Sequence, residues 1–272
     1  MALPGSGALS FSAIQTEFGG SNPISLSEYY RGGAYVRGQA TTVPTSGAIS
    51  LSNFYGTSAT IVLAITSNTS HVNILTLATA AGYNAASDTT PIIVNVSAGI
   101  SGSSAPALRT GALNAASNLT INIASGASIE GFAGAVGGTG AAGGTGGDGI
   151  LFEITSGTGT YLVDNDGTTS GGGGGGGGGG SAGASWLLYY DGKGDVCSGP
   201  VYYGSNGSNG ATGALGAAGA AGTAGGYRVG ACNVTVTAGA GGAGGAAGKA
   251  VNFGGLSVST AGSAGTFNGA TS

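Results

Sequence analysis

The side chains best suited to binding chemistry are concentrated in one stretch of the chain, residues 181–203. This stretch contains the only tryptophan and four of the 11 tyrosines. Tryptophan and tyrosine are the preferred rigid anchors at recognition surfaces, and aromatic faces also suit sugars. We therefore predict a recognition surface here, with the alternative that the aromatics fill a local core. The residues are Trp186, Tyr189, Tyr190, Tyr202 and Tyr203.

A second stretch, residues 226–238, contributes Tyr227 and Arg228 to the same candidate surface. If the first group of aromatics proves to be a buried cap, recognition is expected to move to this second stretch or to leave the chain. Both stretches interrupt the glycine-rich part of the sequence. The glycine-rich part must therefore hold the two stretches in position.

Two aspartate-rich turns and one histidine are the remaining candidates for chemistry. The turns at 164–167 and 191–195 lack the glutamate that an EF-hand loop has at its twelfth position, and ordinary Asx-Gly turns account for both. His71 is the only histidine and has no cysteine or carboxylate cluster beside it, as a metal site or a catalytic triad would require. The sequence predicts no metal, no cofactor and no enzyme activity.

The charge and the apolar content of the chain argue against nucleic acid and a membrane as partners. Its 6 basic and 10 acidic residues give a net charge of −4, whereas nucleic-acid binding needs a basic face. No apolar stretch approaches the roughly 20 residues of a membrane span, so no membrane insertion is expected. The first residues lack the basic and apolar regions of a secretory signal, which predicts synthesis in the cytoplasm.

Glycine at every third position is the strongest pattern in the sequence, in which 62 of 272 residues are glycine. Three runs keep the period: 134–149, 204–225 and 239–248. The period fits neither a strand nor an α-helix, but it fits the three residues per turn of polyproline II and collagen chains. An unbroken run lies between the first two and comprises Gly171, Gly172, Gly173, Gly174, Gly175, Gly176, Gly177, Gly178, Gly179 and Gly180.

Such runs must pack on each other to be ordered. Fixing a residue costs about 1–2 kcal/mol of backbone entropy, and glycine has no side chain to offset it. A threefold helix has no internal hydrogen bonds, so neighbouring runs must supply the partners. The unbroken run, bare on every face, is predicted at the centre of a bundle, with the period-three runs around it. A collagen triple helix is the alternative, but the runs contain no proline.

A straight helix over residues 204–225 would span roughly 60 Å. It would place Cys197 and Cys232 at opposite ends, so we predict no disulfide between them.

The remaining sequence divides into an N-terminal repeat and a β-rich region. Three copies of a pattern alternate apolar residues with serine and end on glycine: 9–19, 24–32 and 49–56. We predict three short helical turns, with a capping box from Ser25 to Glu28; each is too short to be stable alone. Four β-branched runs predict strands, at 60–65, 72–77, 92–96 and 119–123, with a helical turn that ends at Gly82 as an alternative over residues 76–83.

The predicted fold is mainly irregular and β. Residues 1–56 form an attachment module of short helical turns, and residues 57–133 form a small β-rich domain. Residues 134–272 form a bundle of packed left-handed polyglycine II helices joined by β-like loops. Short β-caps are expected at the ends of this bundle, in 118–134, 150–170 and 249–272.

These features resemble those of a known group of proteins. The repeat Ser46–Gly56 resembles a module common at the start of bacteriophage tail and tail-fibre proteins. The part from Ser97 to Gly248 resembles glycine-rich phage receptor-binding tips, such as the distal adhesins of T-even-like long tail fibres. The resemblance implies a sandwich of polyglycine II helices with host recognition on the loops between them. The N-terminus differs from the attachment domain of that adhesin family.

The sequence thus predicts a phage tail-fibre or tail-tip protein of the virion. Residues 1–56 would bind other tail or fibre proteins, and the loops would bind a host-surface glycan or outer-membrane protein. The alternatives are a purely structural fibre cap or connector, and an ice-binding protein. Ice binding would favour a flat, regular threonine array, whereas threonine is irregular within these runs.

Overall fold

The computed structural model describes residues 2–154, 156–182, 184–190, 196–198, 202–203, 205–226, 233–235 and 238–272. Of these, 184–190, 196–198, 202–203 and 233–235 are described by their backbone alone. The helices are α1 (Phe11–Phe18), α2 (Ile74–Ala80) and two 3₁₀ helices, Leu26–Tyr29 and Leu51–Phe54.

The strands follow in chain order. They are β1 (Ile61–Ile65), β2 (Thr69–Ser70), β3 (Val72–Asn73), β4 (Ile92–Val96), β5 (Ile100–Ser101), β6 (Leu108–Arg109), β7 (Leu119–Ile123), β8 (Ser128–Glu130), β9 (Ile150–Leu151), β10 (Tyr161–Asn165), β11 (Thr168–Ser170), β12 (Ala184–Tyr190), β13 (Val196–Ser198), β14 (Tyr202–Tyr203), β15 (Asn233–Thr235), β16 (Val251–Asn252), β17 (Val258–Ala261) and β18 (Thr266–Asn268).

Three parallel sheets are visited by the chain in rotation. Their strand orders are β1-β4-β7-β10-β17, β2-β5-β8-β11-β18 and β3-β6-β9-β16. Each of the first four coils therefore adds one strand to each sheet, and the last coil adds β17 and β18 to two of them. This is the topology of a parallel β-helix. Stacked coils bury a continuous core that no single coil could form alone.

The core of the β-helix is built from alternate residues of its longest strands. Leu63, Val94, Ile121 and Val163 stand in register on β1, β4, β7 and β10, and all four are buried. The alternation follows from the two-residue period of a strand. Tyr161 packs in the same core, and the pKa of its phenol is raised above the usual value. Burial is the larger cause, and the neighbouring Tyr83 adds to it.

The β-helix departs from the predicted organisation in three places. The run 72–77 is a two-residue strand followed by α2, because the Asn73 side chain accepts a hydrogen bond from the Thr76 amide and starts a helix. The sheets continue across the boundary predicted at residue 133, since β7 pairs with β10. The segments expected to be β-caps contribute strands to stacked coils of these sheets. The division into three domains stays a prediction.

The N-terminal module, residues 2–56, contains the three expected helical turns and a hydrophobic cluster of its own. It is joined to the first coil by polar contacts. Arg37 forms an ion pair with Asp88 and donates to Thr90 Oγ1 at 3.0 Å. The Gln39 amide group donates to the Val62 carbonyl and accepts from the Val62 amide, both at 3.1 Å. Gln39 thereby covers part of the open edge of β1.

Six glycine-rich segments between strands of the β-helix pack side by side, and we call them the glycine array. Segments 1 and 2 connect β8 to β9, and segments 3 to 6 lie between β11 and β16. The segments are 1 (131–140), 2 (141–149), 3 (171–182), 4 (205–216), 5 (217–226) and 6 (238–249).

Segment 3 is enclosed by the other five. All ten glycines from 171 to 180 are buried. Each carbonyl from Ser170 to Ser181 accepts one backbone N–H at 2.7–3.0 Å, in strict rotation from segments 1, 4 and 6. Its own N–H groups donate to segments 2 and 5, again at three-residue intervals. The backbone of segment 3 thus has hydrogen-bond partners in five neighbouring segments.

The run 204–225 is not straight, which corrects the premise of the cysteine prediction. The chain reverses between segments 4 and 5, where Ala217 N–H donates to the Ala214 carbonyl and Gly216 has φ of 72°. A left-handed turn favours glycine at this point. Both ends of the run therefore lie at the same end of the array. Cys232 lies outside the described residues, so the absence of a disulfide stays a prediction.

Candidate recognition end of the glycine array

The two ends of the glycine array have different neighbours. At the near end, segments 1, 2, 3 and 6 continue directly into β8, β9, β11 and β16 of the β-helix. The far end carries the reversal between segments 1 and 2, where Gly140 donates to the Gly179 carbonyl. Both inserts, 183–204 and 227–237, also leave the array at the far end. The described ends of both inserts, on the glycine array, therefore lie away from the β-helix.

The two inserts meet in one antiparallel sheet. Strand β12 pairs with β13 and β14 from its own insert, and with β15 from the other insert. The register places Trp186 opposite Val234 and Tyr189 opposite Cys197. We call these four strands the far-end sheet. Since no periodicity in the sequence links the two inserts, this pairing was not predicted.

The aromatic candidates lie on the backbone of the far-end sheet. Trp186, Tyr189 and Tyr190 belong to β12, and Tyr202 and Tyr203 form β14. Their side chains are outside the described part of the structure, and so are Tyr227 and Arg228 entirely. Their role in recognition stays a prediction.

Hydrogen bonds close the array just below the far-end sheet. Gly226 N–H donates to the Ser205 carbonyl at 2.7 Å, and Gly239 N–H donates to the Ser181 carbonyl at 3.0 Å. The Asn206 side-chain oxygen accepts the Ala182 amide at 2.8 Å. The roots of both inserts are therefore tied to each other, which gives the sheet a defined base.

Two asparagine side chains of segment 4 supply hydrogen-bond acceptors to segment 3. The sequence had predicted acceptors from the backbone alone. Five segments surround segment 3, which leaves one side without a backbone acceptor. On that side the Asn209 side-chain oxygen accepts the Gly179 amide at 2.9 Å. Asn209 lies three residues after Asn206, which accepts the Ala182 amide in the same way. A sequence signal was present, because the two asparagines repeat with the glycine period.

Asn209→Ala is expected to cost about 1–3 kcal/mol of unfolding free energy, because the buried Gly179 amide loses its partner. Asn209→Asp keeps an acceptor oxygen and should cost less. Chemical denaturation and amide exchange at Gly179 measure both effects. Equal stability of the alanine variant and the wild type would contradict this role for Asn209.

The other chemical candidates have structural roles. Asn165 is buried and its side chain accepts the Gly167 amide at 3.1 Å, as in an Asx turn, while Asp166 accepts the Ser263 amide at 3.0 Å. His71 Nε2 lies 2.7 Å from Ser103 Oγ. Among the described residues, no group of three or more His, Cys, Asp or Glu side chains could hold a metal ion. The turn at 191–195 lies outside these residues.

The described helices are all too short or too polar to cross a membrane.

Comparison with known proteins identifies a family. The family model described as phage tail fibre adhesin Gp38 matches residues 60–271, from the first residue before β1 to the penultimate residue. A chain in the crystal structure of the gp37-gp38 adhesin tip complex of the bacteriophage S16 long tail fibre is 22% identical, over 98% of this chain and 99% of that chain, with a TM-score of 0.47. The comparison with curated proteins found no match.

Proposed function

The chain belongs to the phage tail fibre adhesin Gp38 family, and from that premise we propose how its parts divide the work of adhesion. It is a virion protein of the bacteriophage tail fibre that recognises the host cell surface.

We assign recognition to the far-end sheet. The observation that carries this assignment is the pairing of β12 with strands from both inserts. A recognition surface needs anchoring side chains on a rigid base, and the glycine array offers mainly glycine and alanine along its sides. The far-end sheet combines the only tryptophan of the chain with four tyrosines, and its roots are hydrogen-bonded to each other. Its receptor would be a glycan or an outer-membrane protein.

The scaffold is, in this proposal, a bundle of left-handed polyglycine II helices. Three features support it: the three-residue interval of the hydrogen bonds, the burial of segment 3, and the backbone angles. Within the six segments, positive φ angles occur only at Gly140 and Gly216, the two reversals. At about 3.1 Å per residue, ten residues carry the far-end sheet roughly 30 Å from the β-helix.

Attachment to the fibre is assigned to residues 1–56, which lie outside the family match. The relative from bacteriophage S16 was solved as a gp37-gp38 complex, and by analogy this chain would bind another tail-fibre protein. The chain is expected to be made in the host cytoplasm before it joins the virion.

A pull-down on host envelopes tests the function. Purified protein should bind envelopes from the host strain and not those from a strain that resists the phage. Equal binding to both, or to neither, would favour the alternative of a structural cap or connector without a receptor.

A further inference from the structure

The chain contains three Asn-Gly dipeptides, and the structure places them in two different settings. They are residues 206–207, 209–210 and 268–269. The first two lie in segment 4, and the third lies at the end of β18, beside the start of segment 3. Asparagine side chains react with the backbone most readily before glycine, because glycine has no Cβ to shield the nitrogen that attacks.

The reaction is a deamidation that needs only water. The backbone nitrogen of the glycine forms a bond to the side-chain carbonyl carbon of the asparagine. The bond from that carbon to the side-chain nitrogen breaks, and this nitrogen leaves as ammonia with the proton of the glycine amide. Water then opens the cyclic imide at either carbonyl and gives aspartate or isoaspartate. Isoaspartate carries the main chain through its side-chain carbon, so the backbone becomes longer by one methylene group.

The two dipeptides of segment 4 have hydrogen bonds on both reacting groups. The Gly207 amide donates to the Gly180 carbonyl at 2.9 Å, and the Gly210 amide donates to the Gly177 carbonyl at 2.8 Å. The side-chain oxygen of each asparagine accepts an amide of segment 3. Both asparagines are exposed, so water reaches them. The hydrogen bonds must break before the glycine nitrogen can attack, which slows the reaction about tenfold or more.

The third dipeptide lacks these bonds. Gly269 is exposed, and its amide has no acceptor among the hydrogen bonds of the described residues. The Asn268 side chain donates from its nitrogen to Ser170 Oγ at 3.1 Å. Its oxygen, unlike those of the other two asparagines, accepts no hydrogen bond from the described part of the chain. The nitrogen that attacks and the carbonyl that it attacks are therefore both less restrained than in segment 4.

Asn268 also lies where the glycine array meets the β-helix. Its backbone carbonyl accepts the Gly171 amide at 2.9 Å, and the Gly171 carbonyl accepts the Gly216 amide at 2.7 Å. The packing is tight, because an added Cβ at Gly216 would stand 2.5 Å from the Asn268 carbonyl carbon. Isoaspartate at position 268 would displace this carbonyl and add a negative charge beside it. The bonds that start segment 3 and hold the reversal between segments 4 and 5 would be lost.

We propose that Asn268 is a site of spontaneous deamidation in the folded protein, and that isoaspartate there loosens the join between the glycine array and the β-helix. The array itself protects the two asparagines of segment 4. The protein therefore ages at its near end, while the base of the far-end sheet stays chemically intact. This inference goes beyond the proposed function and does not depend on which surface binds the receptor.

Site-resolved mass spectrometry of the intact protein tests the modification. Folded and denatured samples are kept at mildly alkaline pH, digested at intervals and analysed for the mass change of each asparagine, with isoaspartate identified by an isoaspartyl methyltransferase. In the denatured chain the three sites should react at similar rates. In the folded protein Asn206 and Asn209 should react slower than Asn268 by about tenfold or more. Equal rates at all three sites of the folded protein, or the slowest rate at Asn268, would overturn the proposal.

The consequence for stability is tested with Asn268→Gln, because glutamine keeps the amide but forms a cyclic imide far more slowly. The thermal midpoint of the wild type should fall as position 268 converts to isoaspartate, whereas the midpoint of the variant should stay at its starting value. A midpoint that falls equally in both proteins, or in neither while the wild type is modified, would show that the join does not depend on this residue.

Discussion

Gly175→Val is expected to abolish the folded glycine array. Gly175 lies in the middle of segment 3, and an added Cβ would stand 1.9 Å from the Ala135 carbonyl oxygen and 2.5 Å from its carbon. Real side chains do not approach backbone so closely, so segment 1 would have to move away. That movement breaks the bond from Gly137 to the Gly176 carbonyl and its neighbours. We expect a loss above about 4 kcal/mol, at the extreme of single substitutions.

Ala218→Val is the matched control for this prediction. Ala218 lies in segment 5 and is exposed, so its larger side chain would extend into solvent. The expected cost is within about 0.5 kcal/mol. Chemical denaturation of both variants gives the comparison. If they are equally stable, the distinction between a central and a peripheral segment is wrong.

The second large effect is expected at the far-end sheet. The combined change of Trp186, Tyr189 and Tyr190 to alanine should lower phage adsorption by at least about 100-fold, because truncated hot-spot aromatics cost about 2 kcal/mol or more. The virions should still assemble, since the glycine array and the N-terminal module are unchanged. Adsorption rates and the protein content of purified virions measure the two effects separately.

Exposed apolar residues of the array outside the far-end sheet supply the control for adsorption. Val136 and Leu215 are 46% and 43% exposed on segments 1 and 4. Changing both to alanine should leave adsorption intact. If instead the aromatic variant misfolds, its aromatics form a cap on the array. Recognition would then be sought at Tyr227 and Arg228.

The glycine array could be anticipated from the sequence because one rule governs it. A residue that approaches another backbone must be glycine, so the glycine period reports directly which face of each segment is covered. Gly207, Gly210 and Gly213 illustrate this, since an added Cβ at each would stand within about 2.2 Å of a segment 5 carbonyl oxygen. The fold-back at Gly216 was missed because the period continues through the reversal without a break.

The β-helix could not be anticipated, because its repeat is irregular. Its long strands begin at Ile61, Ile92, Leu119, Tyr161 and Val258. The spacing grows wherever glycine segments are inserted between strands, so no fixed period remains. Of these strands, β1, β4 and β7 were visible locally as β-branched runs, but the stacking that joins them depends on contacts between distant residues.

The candidate recognition site was only partly visible in the sequence. Aromatic composition pointed to residues 181–203, but nothing in the sequence indicated that β15, from the second insert, would pair with β12. Strand pairing between two inserts depends on where the array holds their ends. The sequence does not encode that placement locally.

Hydrogen–deuterium exchange of the intact protein, with and without host envelopes, tests the central claim most directly. If the far-end sheet recognises the host, envelopes from the sensitive strain will slow exchange in residues 183–204 and 227–237. Exchange in the β-helix and in residues 1–56 will stay as it is in the free protein. Slower exchange in those other regions, with the two inserts unchanged, would contradict recognition by the far-end sheet.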